Sequence, residues 1–331
     1  MKSARDVKII IKAGELMIDI KNNRICKLLG IEYPVVQGGM AWVANADLAA
    51  GVSNAGGLGI IAAANMPPEL LEQEILKAKS LIHGDKPFGL NIMLMSPTAE
   101  AALEIAAKHK VKVVTTGAGS PGKVLNKLKP LGIIVMPVVA SAMQAKRVAK
   151  QGADAVIAEG MEAGGHIGEL TTMVLTPQVV DAVSSLNVPV ITAGGVADKR
   201  GVAAAFALGA EGVQVGTRCI CCNECSIHDN YKQAVLNARD RSTAITGQSL
   251  GHPGRCLRNK LTDEFERLEA ERASAAEIEA LGTGKLRAAV VDGDVEWGSL
   301  MSGQSAGLVN DIKSAREIIE DLFSRGVAAA I

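Results

Sequence analysis

Short runs of β-branched and other apolar residues recur along the chain, each closed by Gly, Asn or Pro and each followed by the periodicity of an amphipathic helix. The runs begin near Val35, Leu58, Phe88, Val113, Ile133, Ala155, Val188 and Gly212, with longer steps after the second and the sixth. Helix starts fall between them: Pro67 and Pro68 ahead of ELLEQEILKAKS, Thr98 ahead of AEAALEIAAKH, Ser141 ahead of AMQAKRVAKQG, and Thr176 with Pro177 ahead of QVVDAVSSL. Eight strand–helix repeats predict an α/β chain folded as a (β/α)8 TIM barrel. A leucine-rich solenoid shares the period, but its L-x-x-L-x-L pattern is absent, and a doubly wound sheet rarely needs eight such units.

After the eighth run the regularity stops. Residues 218–298 hold a cysteine cluster, the basic stretch HPGRCLRNK, a highly charged segment TDEFERLEAERASAAEIEAL that reads as one helix, and a glycine-broken stretch up to Trp297. This predicts a small inserted domain after strand eight. The barrel is then residues 21–217 and 299–331, with a last helix from Gln304 to Ser324, and residues 1–20 form an N-terminal extension.

Composition narrows the function classes. Of 331 residues, 48% are hydrophobic and 21% charged, enough apolar material for a large core and too much for a disordered chain. Lys plus Arg equals Asp plus Glu at 35 each, so no global field attracts nucleic acid or an anionic membrane. Four Phe, two Trp and two Tyr are too few for base-stacking platforms. The first twenty residues lack the apolar run of a signal peptide, and no stretch is long and apolar enough for a membrane span. The expectation is a cytoplasmic protein with six reduced cysteines. Cys219, Cys221, Cys222 and Cys225 include one C-x-x-C pair, but only Cys256 and His228 follow, so no metal site is expected.

Position points to the chemistry. Active sites of such barrels sit at the C-terminal ends of the strands, and phosphate groups sit on the loops after strands seven and eight. Strand seven runs into Ala193, Gly194 and Gly195, and strand eight into Gly216 and Thr217; the glycines let backbone N–H groups converge on an anion, and Thr217 adds a hydroxyl. Strand six runs into GMEAGGHIG, whose His166 is the histidine placed at a barrel strand's C-terminal end, where an imidazole can exchange a proton near neutral pH. Of Glu159, Glu162 and Glu169 beside it, Glu159 ends a buried strand and is the one expected to meet a ligand. Gly117 to Gly122 fits G-x-G-x-x-G, but IIVMPVVASAM beyond it has no acidic residue for a ribose, so these glycines shape the barrel mouth instead.

Several segments carry a resemblance: Tyr33 to Ala44 with QGGMAWVA, SNAGGLGII, KPFGLNIML, KVVTTGAGSP, AEGMEAGGHIG, AGGVAD, VQVGTR and SLMSGQSAGLV. From about residue 24 to the last helix the chain resembles the FabK family, the flavin-dependent enoyl-acyl-carrier-protein reductases of bacterial type II fatty acid synthesis and a sister group of the nitronate monooxygenases. The residues up to about Met17 have no counterpart in that pattern, and the cysteine cluster after VGTR departs from it. The resemblance implies FMN as cofactor and NADH or NADPH as reductant. Gly38, Gly39, Met40, Ala41 and Asn91 would then contact the flavin, with Glu159, Gly164 and Gly165 lining it. Ala193, Gly194, Gly195, Gly216 and Thr217 would hold its phosphate, and Met301 and Gln304 would close the site. His166 matches the family's active-site histidine, and it or a water it orients would deliver a proton to the α carbon of the enoyl chain.

Two other readings stay open: a nitronate monooxygenase in which His166 is the base, and a non-catalytic flavin or phosphate-ligand binder. QGGMAWVA and the long insertion favour the reductase. Its expected partner is an acidic enoyl-acyl carrier protein, met by Arg255, Arg258 and Lys260 on the insertion, with a homodimer left open.

Overall fold

In the computed structural model, which describes residues 9–12, 15–18, 20 and 22–324, the eight sequence runs become eight parallel strands. They are β1 (Val35–Gln37), β2 (Gly59–Ala62), β3 (Phe88–Met93), β4 (Val113–Gly117), β5 (Ile134–Val139), β6 (Val156–Glu159), β7 (Val190–Ala193) and β8 (Gly212–Val215). Each pairs with its neighbours in chain order, β8 pairs back onto β1, and a bridge between Val36 and Leu58 joins β1 to β2, so the sheet closes into a TIM barrel. Of the N-terminal extension, the backbone of Ile9–Lys12 and Glu15–Ile18 forms an antiparallel hairpin; the rest of it, apart from Ile20, and the chain past Ser324 lie outside the described residues.

The outer ring is α1 (Ala46–Asn54), α2 (Pro68–Leu81), α3 (Ala99–His109), α4 (Gly122–Leu128), α5 (Ala142–Lys150), α6 (Thr172–Val183), α7 (Lys199–Ala207) and α8 (Ala315–Leu322). Ser141 caps α5 by accepting the Gln144 N–H, as its sequence signal predicts. Thr176 and Pro177 do not open α6. The helix begins at Thr172, whose N–H is taken by the Glu162 carboxylate at 2.9 Å, and Pro177 sits inside it, where its missing N–H forfeits one bond. The expected last helix divides into a 3-10 turn, Gln304–Leu308, and α8, which starts at a Ser314–Glu317 capping box.

A short helix, Arg24–Leu29, plugs the N-terminal end of the barrel. Its Ile25 and Leu29 are fully buried against Leu58, Ile60, Met136 and Ile191. Asn23 caps it, and Arg24 ties it to the Glu211 carboxylate and to Asn187. Among the described residues this helix closes that end of the barrel with buried apolar side chains.

Residues 218–298 fold over the opposite end as a cap. Tyr231, Val235, Leu257 and Val290 of the cap share one apolar cluster with Val35, Leu48 and Val213 of the barrel and Ile318 of α8. The charged segment is two helices, Lys260–Ala270 and Ala275–Gly282, broken where Arg272 takes φ 57° and a Ser274–Glu277 capping box restarts the turn. Cap strands Thr243–Thr246 and Gly254–Leu257 add a third strand from the barrel loops, Gly165–His166. Among the described residues no helix is long and apolar enough to cross a membrane, and no cluster of His, Cys, Asp and Glu could hold a metal ion.

Candidate active site

At the C-terminal ends of the strands lie three adjoining cavity lobes that share lining residues. The central lobe, about 200 Å³, lies under the cap between Met40, Asn91 and Met301. A second lobe of about 90 Å³ extends from it to the loops after β7 and β8. A third, about 210 Å³, leads outward over α5. Glu159 borders all three, and His166 borders the central and outer lobes.

Local structure explains these placements. Gln37, at the end of β1, bonds the Gly38 carbonyl and accepts the Ile60 N–H at 2.9 Å, which fixes the turn into Gly38 and Gly39. A Cβ at Gly39 would overlap the Asn91 side chain, so glycine there lets the loop lie against β3. Asn91 is held in turn by donating to the Thr115 hydroxyl at 3.0 Å. Gly194 takes φ 93°, and a Cβ there would come within 2.9 Å of the Gly160 carbonyl oxygen.

The second lobe fits a phosphate. The N–H groups of Gly194, Gly195 and Gly216 find no acceptor among the described residues, and Gly194, Gly195, Gly216 and Thr217 all line the lobe. The Thr217 oxygen accepts the Gly303 N–H at 2.9 Å, which leaves its own hydrogen free to donate. With the apolar central lobe next to this cradle, the donor set matches a ring-bearing phosphate ester such as FMN.

Electrostatics distinguishes the two titratable groups. The Glu159 carboxyl has no hydrogen-bond partner among the described residues, and burial raises its pKa from 4.5 to about 7. Glu162 is committed elsewhere, since its carboxylate caps α6 and its carbonyl accepts the Gln304 N–H at 2.9 Å. Burial of the His166 ring, and next the neighbouring His252, push its pKa below the ordinary 6.5. Glu159 thus holds its proton to higher pH than a free carboxyl, and His166 releases its proton at lower pH than a free imidazole.

The expected site residues converge with one exception. Gly38, Gly39, Met40, Ala41, Asn91, Glu159, Gly164, Gly165, His166, Ala193, Gly194, Gly195, Gly216, Thr217 and Met301 all line the central or second lobe. Gln304 does not: its side chain is exposed, and Ser305 faces the second lobe instead. Gln214 borders both lobes as well; its signal was the one polar residue in an otherwise apolar strand. Tyr231 comes from the cap and donates to the Met301 carbonyl at 3.0 Å, which holds Met301 over the cavity.

The expected basic patch on the insertion is not one. Arg255 is only 4% exposed, donates to the Met161 carbonyl at 3.0 Å and to the Thr243 hydroxyl at 2.9 Å, and so ties the histidine loop to the cap. Arg258 pairs with Glu266 at 3.0 Å and Lys260 with Glu296 at 2.6 Å, leaving little net charge for an acidic partner. The cysteine cluster is buried away from the cavity, and burial raises the pKa of Cys221 and of Cys225 to about 11 and that of Cys219 to about 12, so these thiols are inert.

Comparison with known proteins places this architecture. The family model described as nitronate monooxygenase matches residues 22–108 and 97–325. A (3aS,4S,5R,7aS)-5-hydroxy-7a-methyl-1-oxo-octahydro-1H-indene-4-carboxyl-CoA dehydrogenase of Mycobacterium tuberculosis is 37% identical, over 90% of this chain and 94% of its own. A probable nitronate monooxygenase of Staphylococcus saprophyticus is 32% identical, over 92% and 97%. The solved structure of FabK from Thermotoga maritima is 50% identical and superposes with a TM-score of 0.87, covering 91% of this chain and 94% of that one. From the closed barrel, the glycine cradle and these matches together, the chain is a FabK-type member of the nitronate monooxygenase superfamily, built as an oxidoreductase.

Proposed function

We propose that the protein is an FMN-dependent enoyl-thioester reductase that uses NADH or NADPH to saturate the 2,3-double bond of an enoyl-acyl carrier protein, a cytoplasmic step of fatty acid synthesis. The observation that carries this reading is the junction at Glu159 and His166, where the phosphate-fitting side of the cavity meets an apolar groove open to the outside. The 50% identity to FabK and the acyl-CoA substrate in the name of the Mycobacterium tuberculosis relative support a thioester.

Gly194, Gly195, Gly216 and Thr217 would hold the phosphate, and Gly39, Met40, Asn91 and Met301 the ring system. Bound there, the flavin supplies hydride transfer, from the nicotinamide to the β carbon of the enoyl group. The α carbon then needs a proton. Glu159 retains one up to about pH 7 because its carboxyl is buried, and His166 exchanges with solvent at the rim, so the two groups form a donor and its source of replenishment. The cap would cover the central lobe, and the outer lobe would give the substrate its way in.

The test is spectroscopic. The purified protein should be yellow, lose its flavin absorbance under anaerobic NADH or NADPH, and regain it on addition of crotonyl-CoA. A colourless protein that cannot be reconstituted with FMN overturns the reading. The second reading is nitronate monooxygenase, favoured by the lowered His166 pKa, since a neutral imidazole can take an α proton. In that case a nitronate, and not NAD(P)H, bleaches the flavin.

A further inference from the structure

The outer lobe has a feature that proton and hydride transfer do not use. It starts at Glu159 and His166, runs between Pro121, Val138 and Ile167, and ends at Gln144 and Arg147 on α5. Among the described residues Arg147 is the one Lys or Arg that lines any of the three lobes. It is exposed, and among the described residues it forms no ion pair. The contrast with its neighbour is informative: on α4, Lys123 and Lys127 are paired by Glu100 and Glu104, whereas α5 carries Lys146, Arg147 and Lys150 with no acidic residue of its own and, among the described residues, no ion-pair partner for any of them. Side chains on a helix lean toward its N-terminus, which in a barrel lies at the face holding the strand C-termini, so Arg147 leans toward the cavity mouth. Gln144 accepts the Ala140 N–H at 2.9 Å through its carbonyl oxygen and keeps its amide N–H groups free to donate. An apolar groove with a charged donor at the outer end and proton-exchanging groups at the inner end suits a long, slender ligand with an anionic far end.

We propose that this groove is the channel for the phosphopantetheine arm of the substrate, with the thioester between Glu159 and His166 and the arm's phosphate on Arg147. The proposal rests on the thioester reading above. A phosphate on a long arm is common to acyl carrier protein, coenzyme A and the nicotinamide dinucleotides. The groove favours the pantetheine arm, because it offers no aromatic face for an adenine and, beyond Glu159, no carboxylate for ribose hydroxyls.

The experiment compares crotonyl-CoA with crotonyl-N-acetylcysteamine, which has no phosphate, in the FMN-loaded wild type, Arg147→Glu and Arg147→Lys. For Arg147→Glu the ratio of kcat/KM for the CoA thioester to that for the truncated thioester should fall about tenfold, chiefly through KM and less at high salt, and Arg147→Lys should recover part of it. Equal loss on both thioesters, or no loss on either, overturns the proposal. So does a loss confined to the reduction of the flavin by NADH or NADPH, which would give the groove to the dinucleotide. Binding of 4′-phosphopantetheine and of pantetheine, followed through the flavin spectrum, separates this proposal from the function on which it rests. A preference for the phosphorylated form that Arg147→Glu abolishes supports the channel even if the wild type reduces no enoyl thioester. Equal binding of the two forms by the wild type overturns the channel even if reduction proceeds.

Discussion

Glu159→Gln isolates the cost of burying one carboxyl at the centre of the site. Burial raises its pKa from 4.5 to about 7, and each pH unit of difference between folded and unfolded chains corresponds to about 1.4 kcal/mol. Below pH 4.5 both states hold the proton and the group leaves stability unchanged. Between 4.5 and 7 the unfolded chain ionises while the folded one does not, so stability falls as pH rises. Above 7 the folded group ionises too, and the loss levels off at a ceiling of about 3 kcal/mol, reduced by whatever water the cavity admits. Glutamine cannot ionise and escapes this loss. Urea unfolding of the flavin-free wild type and variant at pH 5, 6, 7 and 8 should therefore show the variant gaining on the wild type across that range, by about 1 to 2 kcal/mol once water in the cavity is allowed for. A difference constant to within about 0.5 kcal/mol would refute the argument and mean that the carboxyl is as well solvated in the cavity as in the unfolded chain.

His166→Ala should keep the flavin spectrum and slow the enoyl half-reaction about a hundredfold more than flavin reduction; wild-type rates for both steps in stopped-flow would remove the histidine from the chemistry. The six cysteines should release no thiolate to a disulfide reagent at pH 8 in the native protein and all six in guanidinium, since every one is buried; rapid native titration of even one would show an opening of the cap. Arg255→Ala should cost about 2 to 3 kcal/mol in urea unfolding, because it removes two charge-assisted hydrogen bonds from a buried position, and should loosen His166 so that its pKa by NMR returns toward 6.5. A stability within about 0.5 kcal/mol of wild type would mean that the histidine loop is held without this tie.

The barrel was legible in the chain because its information is local. Every strand start read from apolar runs falls within two residues of the observed one, as each run must satisfy a buried ladder on its own. The face of the barrel that carries chemistry follows from the fold, so the glycines after β7 and β8 and Glu159 at the end of β6 could be placed by position. What escaped depends on how the folded backbone orients side chains and which partners it brings to them. Pro177 looks like a helix start until the Glu162 carboxylate is found capping Thr172. Arg258 and Lys260 read equally well as a free basic patch or as charges paired with Asp263, Glu264 and Glu266; the fold pairs Arg258 with Glu266 and brings Glu296, unforeseen, to Lys260. Gln304 and Ser305 are neighbours, and only the geometry of the 3-10 turn decides which one faces the cavity.

The antiparallel pairing of His166 with Gly254 also sets an order of events in folding. All eight barrel strands have left the ribosome once Val215 has, so the sheet can begin to close before the cap exists. The strand that registers the histidine, and then Met301 with the tyrosine contact that holds it, emerge only afterwards. Barrel closure and completion of the site are thus separate steps, the second waiting on contacts of long sequence separation, which form slowly. A refolding chain should regain its far-ultraviolet dichroism before its activity, and the lag between them reports docking of the cap.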